Sequence, residues 1–90
     1  MDYLNAKVVG RVIRQTRECK GLSQEVVSGL ADIGRTHLSA IERGERKPTM
    51  ETFFRLADAL GMPASRLMER IEQTIDAEFT AENSEEFDTQ

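Results

Sequence analysis

The stretch GRTHLSAIERG, residues 34–44, carries side chains that could bind the groove of a nucleic acid duplex. At 100° per residue along a helix, Leu38 and Ile41 fall on one side. The opposite side has hydrogen-bonding groups, one small residue and no carboxylate, namely Arg35, Thr36, Ser39, Ala40 and Arg43. Guanidinium groups can bind guanine through two hydrogen bonds, and the methyl groups of Thr or Ala can contact that of thymine. This face therefore has the chemistry of direct base recognition.

The residues around this stretch separate that interpretation from an ordinary solvent-exposed helix face, which would also be polar. Gln24 follows Ser23, a good N-cap residue, so that its side chain and the start of a helix could both meet a phosphate. Arg46 and Lys47 follow the stretch in a loop, at the other end of the same surface. Together these features favour a nucleic-acid-binding surface.

Apolar spacing and helix-ending residues predict five helices, and no segment alternates convincingly as a strand. The helices are expected at about residues 4–19, 23–30, 34–43, 50–60 and 63–79. The chain is therefore predicted to be all-α, a compact five-helix bundle. About three residues, including a glycine, separate the second and third helices, which is the spacing of a helix-turn-helix.

Glu42 borders the core side of the third helix rather than its exposed face. A half-buried carboxylate needs a partner. Arg17, in the last turn of the first helix, is the candidate, and a structural ion pair between Arg17 and Glu42 is predicted. The alternative is that both charges are solvated.

The charge of the chain is unevenly distributed. The total net charge is −4, but residues 1–75 carry twelve basic and ten acidic side chains, and residues 76–90 carry six acidic and no basic ones. The acidity therefore belongs to the C-terminal end and does not argue against a nucleic acid partner. We expect a domain over residues 1–79 and an acidic, disordered tail over residues 80–90. The tail could be inert, or it could compete for the basic face.

Several functional classes find no support in the sequence. No stretch approaches the ~20 apolar residues of a membrane span, and the N-terminal residues lack the apolar run of a signal peptide. One cysteine and one histidine give no internal disulfide and no zinc-ligand spacing. Neither a catalytic constellation nor a glycine-rich phosphate loop is present. The expectation is a cytoplasmic, non-enzymatic protein without cofactor or metal.

Apolar residues on the fourth and fifth helices exceed what one narrow core stripe requires. They could form the contact of a homodimer, or they could widen the core of the monomer; a chain of this size has little core to offer them. The dimer contact candidates are Met50, Phe54, Ile71, Ile75 and Phe79.

Over residues 13–67 the sequence resembles the phage repressor/Cro-type, Xre-like helix-turn-helix family. The resemblance lies in GLSQE at the start of the second helix, GRTHLSAIERGERKPT across the third helix and its exit, and LADALGM at the end of the fourth. Each motif is weak by itself, but their order and spacing are specific. The sequence departs from the family pattern at Ser28, Asp32 and Gly34, and a glycine N-cap in place of serine costs only a few tenths of a kcal/mol.

This resemblance implies a lambda repressor-like domain that places its third helix in the major groove of an operator. It implies transcriptional regulation, usually by twofold dimers, and it supports the Arg17–Glu42 pair. The implied base contacts come from Arg35, Thr36, Ser39 and Ala40. The implied phosphate contacts come from Gln24, His37, Arg43, Arg46 and Lys47, although His37 could equally be an ordinary surface histidine. The alternative function is a protein-interaction module, such as an antitoxin-like protein that holds a partner.

Overall fold

The computed structural model describes the backbone of residues 4–88 and the side chains of residues 4–81. Within this range the chain forms five helices, which confirms the predicted all-α architecture. They are α1 (Ala6–Cys19), α2 (Gln24–Ala31), α3 (Arg35–Glu42), α4 (Met50–Ala59) and α5 (Ala64–Asp88). None of the helices in this range combines the length and the apolar character needed to cross a membrane.

The helices begin where side chains can satisfy the free N–H groups of a first turn. Ser23 accepts a hydrogen bond from the backbone N–H of Val26 at 3.1 Å, and Thr49 accepts one from Thr52 at 3.1 Å. Gly34, which precedes α3, offers no such side chain. Helix α3 therefore depends more than α2 and α4 on its packing.

Helix α5 is longer than expected. In the described backbone it continues from Phe79 to Asp88, whereas the sequence predicted its end near Phe79 and a disordered tail from residue 80. This segment contains neither glycine nor proline, and its three glutamates favour helix locally whether or not they pack. Residues 89–90 of the expected tail lie outside the described residues.

The core consists of aliphatic side chains from all five helices, with Phe53 added from α4. Helix α1 packs against α3 and α5, while α2 packs against α3 and α4. Helix α3 is thus held from two sides and presents the rest of its circumference outward. Its fully buried residues Leu38 and Ile41 are the two that the helical spacing had placed inside.

The contact between α1 and α3 is a close approach of two backbones at Gly10. A Cβ atom at this position would lie 2.1 Å from the carbonyl oxygen of Ile41 and 2.7 Å from that of Glu42. Only glycine leaves room for α3 at this distance, so Gly10 sets how deeply the C-terminal half of α3 sits against α1.

Candidate nucleic-acid interface

Helices α2 and α3 are joined by the turn Asp32–Gly34. Asp32 adopts the left-handed conformation with φ of 55°, which Asp tolerates better than most residues. The N–H of Ile33 donates to the carbonyl of Ser28 at 3.0 Å, which closes the end of α2. The tight turn and the shared core fix α3 relative to α2 in a helix-turn-helix.

The N-terminal half of α3 and the start of α2 enclose a small outward-facing pocket. It has a volume of about 160 Å³ and is lined by Gln24, Arg35, Thr36 and Ser39. Arg35 and Thr36 are exposed and Ser39 is half-buried. The fold therefore brings Gln24 together with three of the four residues expected to contact bases, and all four face the same solvent region.

Ala40 does not belong to this outward face. It is only 9% exposed and lies with the core side of α3, so the expected base contact from Ala40 is corrected. Because α3 packs against both α1 and α2, a wider arc of its circumference is buried than in a helix that packs on a single surface. That arc includes Ala40 as well as Glu42.

The ion pair expected between Arg17 and Glu42 is present at the inner edge of the interface. Arg17 donates from Nε to Oε2 of Glu42 at 2.7 Å and from Nη2 to Oε1 at 3.0 Å. Arg17 Nη1 also donates to the carbonyl oxygen of Leu22 at 2.8 Å. The Glu42 side chain is 2% exposed and that of Arg17 is 11% exposed. The hydrogen bonds from the guanidinium to Glu42 raise the pKa of Arg17, so that the guanidinium stays charged.

Gln24 is attached to the same network. Its Nε2 donates to Oε1 of Glu42 at 2.9 Å. The amide that was expected to contact a phosphate is therefore held by a buried side chain of α3. The side chain still lines the outward pocket. The chain of contacts from Arg17 through Glu42 to Gln24 joins α1, α3 and the start of α2.

The C-terminal end of α3 carries a carboxylate, in contrast to the expectation of an outward face without one. Glu45 accepts hydrogen bonds from Arg43 Nε at 2.6 Å and from Nη2 at 3.2 Å. Arg43 Nη1 donates to the hydroxyl of Ser39. These contacts raise the pKa of Arg43 and lower the pKa of Glu45, since each charge is stabilised by the other. Helical spacing within α3 could not reveal Glu45, because it lies in the turn after the helix.

The remaining residues expected to contact phosphates surround this face. Arg46 and Lys47 are exposed in the loop that follows α3, and His37 is half-buried on its flank. The loop thus supplies cations at one end of the surface, and the start of α2 supplies N–H groups and Gln24 at the other.

The apolar residues predicted for a dimer contact differ in how far they are exposed. Met50 on α4, Phe54 on α4 and Phe79 on α5 are 77%, 58% and 63% exposed. Ile75 is half-buried against the core. Ile71 is completely buried in the core of the monomer, so its expected role in a dimer contact is corrected. It lies where α5 is covered by the other helices, which periodicity along α5 could not reveal.

Two residues that position the interface were missed in the sequence. Gly10 interrupts the apolar spacing of α1, and an unexplained glycine inside a helix was a usable signal of close packing. Glu45 gave a weaker signal, because a charge in a loop is usually solvated. Among the described residues there is no group of three or more His, Cys, Asp or Glu that could hold a metal ion.

Comparison with known proteins agrees with this architecture. The helix-turn-helix family pattern matches residues 13–67. An uncharacterized HTH-type transcriptional regulator, y4dJ from Sinorhizobium fredii, is 38% identical over 68 residues, which cover 76% of this chain and 88% of that protein.

Two solved structures are also similar. The restriction-modification controller protein C.AhdI from Aeromonas hydrophila has a TM-score of 0.67 and 32% identity, covering 69% of this chain and 94% of that one. The controller protein C.Esp1396I, solved as a tetramer in complex with its natural 35 base-pair operator, has a TM-score of 0.73 and 27% identity, covering 78% and 92%.

The match extends over more than half of the chain and includes the turn, the outward face of α3 and the loop that follows it. With its five helices and the α2–α3 unit, this chain belongs to the Xre-like helix-turn-helix family.

Proposed function

We propose that this chain is a sequence-specific DNA-binding transcriptional regulator that acts as a homodimer. The observation that carries the proposal is the outward face of α3, where Arg35, Thr36 and Ser39 share one pocket with Gln24 from the start of α2. This is the docking arrangement of a helix-turn-helix, in which the second helix reads the major groove and the first crosses the backbone.

The roles of the individual residues follow from their positions. Arg35, Thr36 and Ser39 contact base edges from the first two turns of α3. Arg46 and Lys47 bind phosphates from the loop after α3, where their charges carry no sequence information but hold the protein in register. Arg43 and His37 contact the backbone from the flanks of α3. Gln24 contacts a phosphate while its Nε2 remains bound to Glu42.

A dimer built through the exposed apolar residues of α4 and α5 presents two copies of α3 to one face of the duplex. The half-sites are then about 34 Å apart, or 10–10.5 base pairs. Further support comes from the relatives, which are named as transcriptional regulators and controller proteins; one of them was solved on its operator. The proposal includes a cytoplasmic location and no enzymatic activity.

The test is selection of binding sequences from a pool of random duplexes by the full chain. We expect enrichment of an inverted repeat whose half-site centres are about one helical turn apart. The matched variants are Arg35→Ala, which removes an arginine from the outward face, and Arg66→Ala, which removes an exposed arginine of α5 outside the α2–α3 unit. Arg66→Ala should recover the same repeat.

Absence of enrichment, together with absence of salt-sensitive binding to any duplex, would overturn the proposal. That outcome would instead favour a protein-interaction module. Enrichment of a motif that Arg35→Ala recovers unchanged would leave DNA binding in place but would remove the assignment of α3 as the helix that reads bases.

A further inference from the structure

The turn after α3 fixes the position of one acidic residue beside the proposed DNA-binding face. Gly44 has a φ of +76°, and its N–H donates to the carbonyl of Ile41 at 3.0 Å. The N–H of Glu45 then donates to the carbonyl of Ala40, also at 3.0 Å. This pair of bonds is a common helix-ending motif that reverses the chain against the last turn. The backbone of Glu45 is therefore held next to α3 and is not part of a free loop.

From that position the carboxylate of Glu45 forms an ion pair with the guanidinium group of Arg43. It accepts from Nε and Nη2, the two nitrogens on one edge of the guanidinium group, while Nη1 donates to Ser39. All three guanidinium nitrogens of Arg43 are thus engaged within α3 and its exit. Both side chains are about half exposed, at 52% for Arg43 and 58% for Glu45, so DNA can reach the pair.

A DNA phosphate that binds the Nε and Nη2 edge of Arg43 competes directly with Glu45 for the same two N–H groups. Phosphate and carboxylate oxygens both accept two parallel hydrogen bonds from a guanidinium group, and one edge can serve only one of them at a time. Once displaced, the Glu45 carboxylate would stand near the negatively charged backbone and be repelled by it. At this edge Arg43 can therefore bind a phosphate only after the Glu45 carboxylate has been displaced.

We propose that Glu45 is an intramolecular competitor of the DNA backbone, which occupies Arg43 and limits the phosphate-driven affinity of the protein. This inference rests on the proposed DNA-binding function. It assigns Glu45 the role of a positioning residue that acts through Arg43. It also predicts that the wild-type protein binds all duplexes more weakly than a variant in which Arg43 is not paired with a carboxylate.

The experiment measures the Kd of the full chain for a short duplex of random sequence, over a range of salt concentrations, for wild type and Glu45→Gln. Exposed ion pairs contribute about 0.2–1 kcal/mol, which corresponds to a change in Kd of up to about fivefold. We therefore expect Glu45→Gln to lower the Kd about two- to fivefold. The slope of log Kd against log salt should become steeper by up to about 0.9, because Arg43 then neutralises a phosphate for which Glu45 competes in the wild type.

A double-mutant cycle identifies the cause. If Glu45 acts by occupying Arg43, its substitution has a much smaller effect in an Arg43→Gln background than in wild type. Glu78→Gln is the matched control, because it also removes a half-exposed carboxylate that pairs with an arginine, but on α5 and with Arg11 of α1. That control should leave both the Kd and the salt slope close to those of wild type.

The outcomes separate this inference from the proposed function. Duplex binding by the wild type with no gain in Glu45→Gln, or with the same gain in the Arg43→Gln background, overturns the role of Glu45 alone. Absence of duplex binding by the wild type overturns both proposals. Thermal melting of each variant checks that the exposed substitutions leave the fold intact, and Glu45→Ala should shift the Kd in the same direction as Glu45→Gln.

Discussion

At the scale of single residues, the outward face of α3 contains groups that are already bound and groups that are available. The side chains of Arg35 and Thr36 form no hydrogen bond or ion pair with the described part of the chain. Arg43 is held by Glu45 and Ser39, and Gln24 is held by Glu42. Base recognition should therefore depend mostly on Arg35 and Thr36, because a contact of their side chains with DNA would not first have to break an internal contact.

Substitution of Arg35 tests that assignment. Arg35→Ala should weaken binding to the selected operator by about 1–3 kcal/mol and relax the preference at one base pair. Arg46→Gln should instead weaken binding to operator and random duplex alike and lower the salt slope by about 1, because a phosphate contact carries no sequence information. Titrations of both duplexes measure the two effects. Equal losses on both duplexes for Arg35→Ala would contradict its role as a base contact.

The buried pair of Arg17 and Glu42 gives a second prediction at this scale. Arg17→Met leaves the Glu42 carboxylate buried without its counterion, and removing one partner of such a pair costs about 3 kcal/mol or more. The free energy of unfolding in urea measures this loss.

A neighbouring arginine provides the control for that substitution. Arg14 makes only an exposed contact with Glu18, at 3.4 Å, so Arg14→Met should change the free energy of unfolding by less than about 1 kcal/mol. Similar losses for the two substitutions would mean that the buried pair has no special role in the stability of the fold.

At the scale of helices, the placement of α3 depends on how closely α1 approaches it. Gly10 permits the contact with the carbonyl groups of Ile41 and Glu42, and those two residues lie directly before Arg43. A shift of α3 would move the outward face relative to α2 and the loop that follows α3. Packing at Gly10 therefore couples the core of the domain to DNA recognition.

The pair Gly10→Ala and Gly29→Ala tests this coupling. Alanine favours helix over glycine by up to about 1 kcal/mol, and at Gly29 the added Cβ would meet no atom within 4 Å beyond its chain neighbours and its own helix backbone, so Gly29→Ala should be stabilising. Gly10→Ala should be destabilising by about 1–3 kcal/mol, because the added methyl group must displace the backbone of α3. Thermal or urea unfolding measures both changes.

The same two variants also distinguish an effect on the stability of the fold from an effect on the position of α3. Gly10→Ala should weaken operator binding under conditions where the variant remains folded, whereas Gly29→Ala should not. A stabilising effect of Gly10→Ala would show that α1 and α3 can separate at little cost.

At the scale of the whole molecule, the dimer contact that we propose on α4 and α5 would determine how two copies of α3 are arranged. Phe54→Glu places a charge on an exposed apolar residue of α4 and should shift the protein from dimer to monomer at micromolar concentration. Because Phe54 contributes little to the core, the melting of the domain should change little. Sedimentation velocity measures the oligomeric state.

Leu30→Glu is the matched control for the dimer prediction. Leu30 is similarly exposed, at 66%, but lies on α2, outside the set of residues proposed for the dimer contact. This variant should remain dimeric. Loss of the dimer in Leu30→Glu but not in Phe54→Glu would move the contact from α4 to α2.

The sequence by itself determined those features that depend on local patterns. Apolar spacing, Ser23 and Thr49 as N-caps, and the glycines at helix ends predicted the number, order and approximate bounds of the first four helices, because these signals act within a few residues. The same spacing placed Leu38 and Ile41 inside, and Arg35 and Thr36 outside. It also left Glu42 at the inner edge, in need of a partner.

Only the tertiary structure decided which surfaces become covered and which charges meet. Ala40 and Ile71 are buried because other helices close over them, and a helical wheel contains no information about those neighbours. Gln24 meets Glu42 because α2 and α3 pack together. The contact of Glu45 with Arg43 is local by comparison, since one residue separates them and the turn at Gly44 brings them together. The physical reason is that burial and ion pairing depend on the positions of residues distant in sequence, whereas helix formation depends mostly on near neighbours.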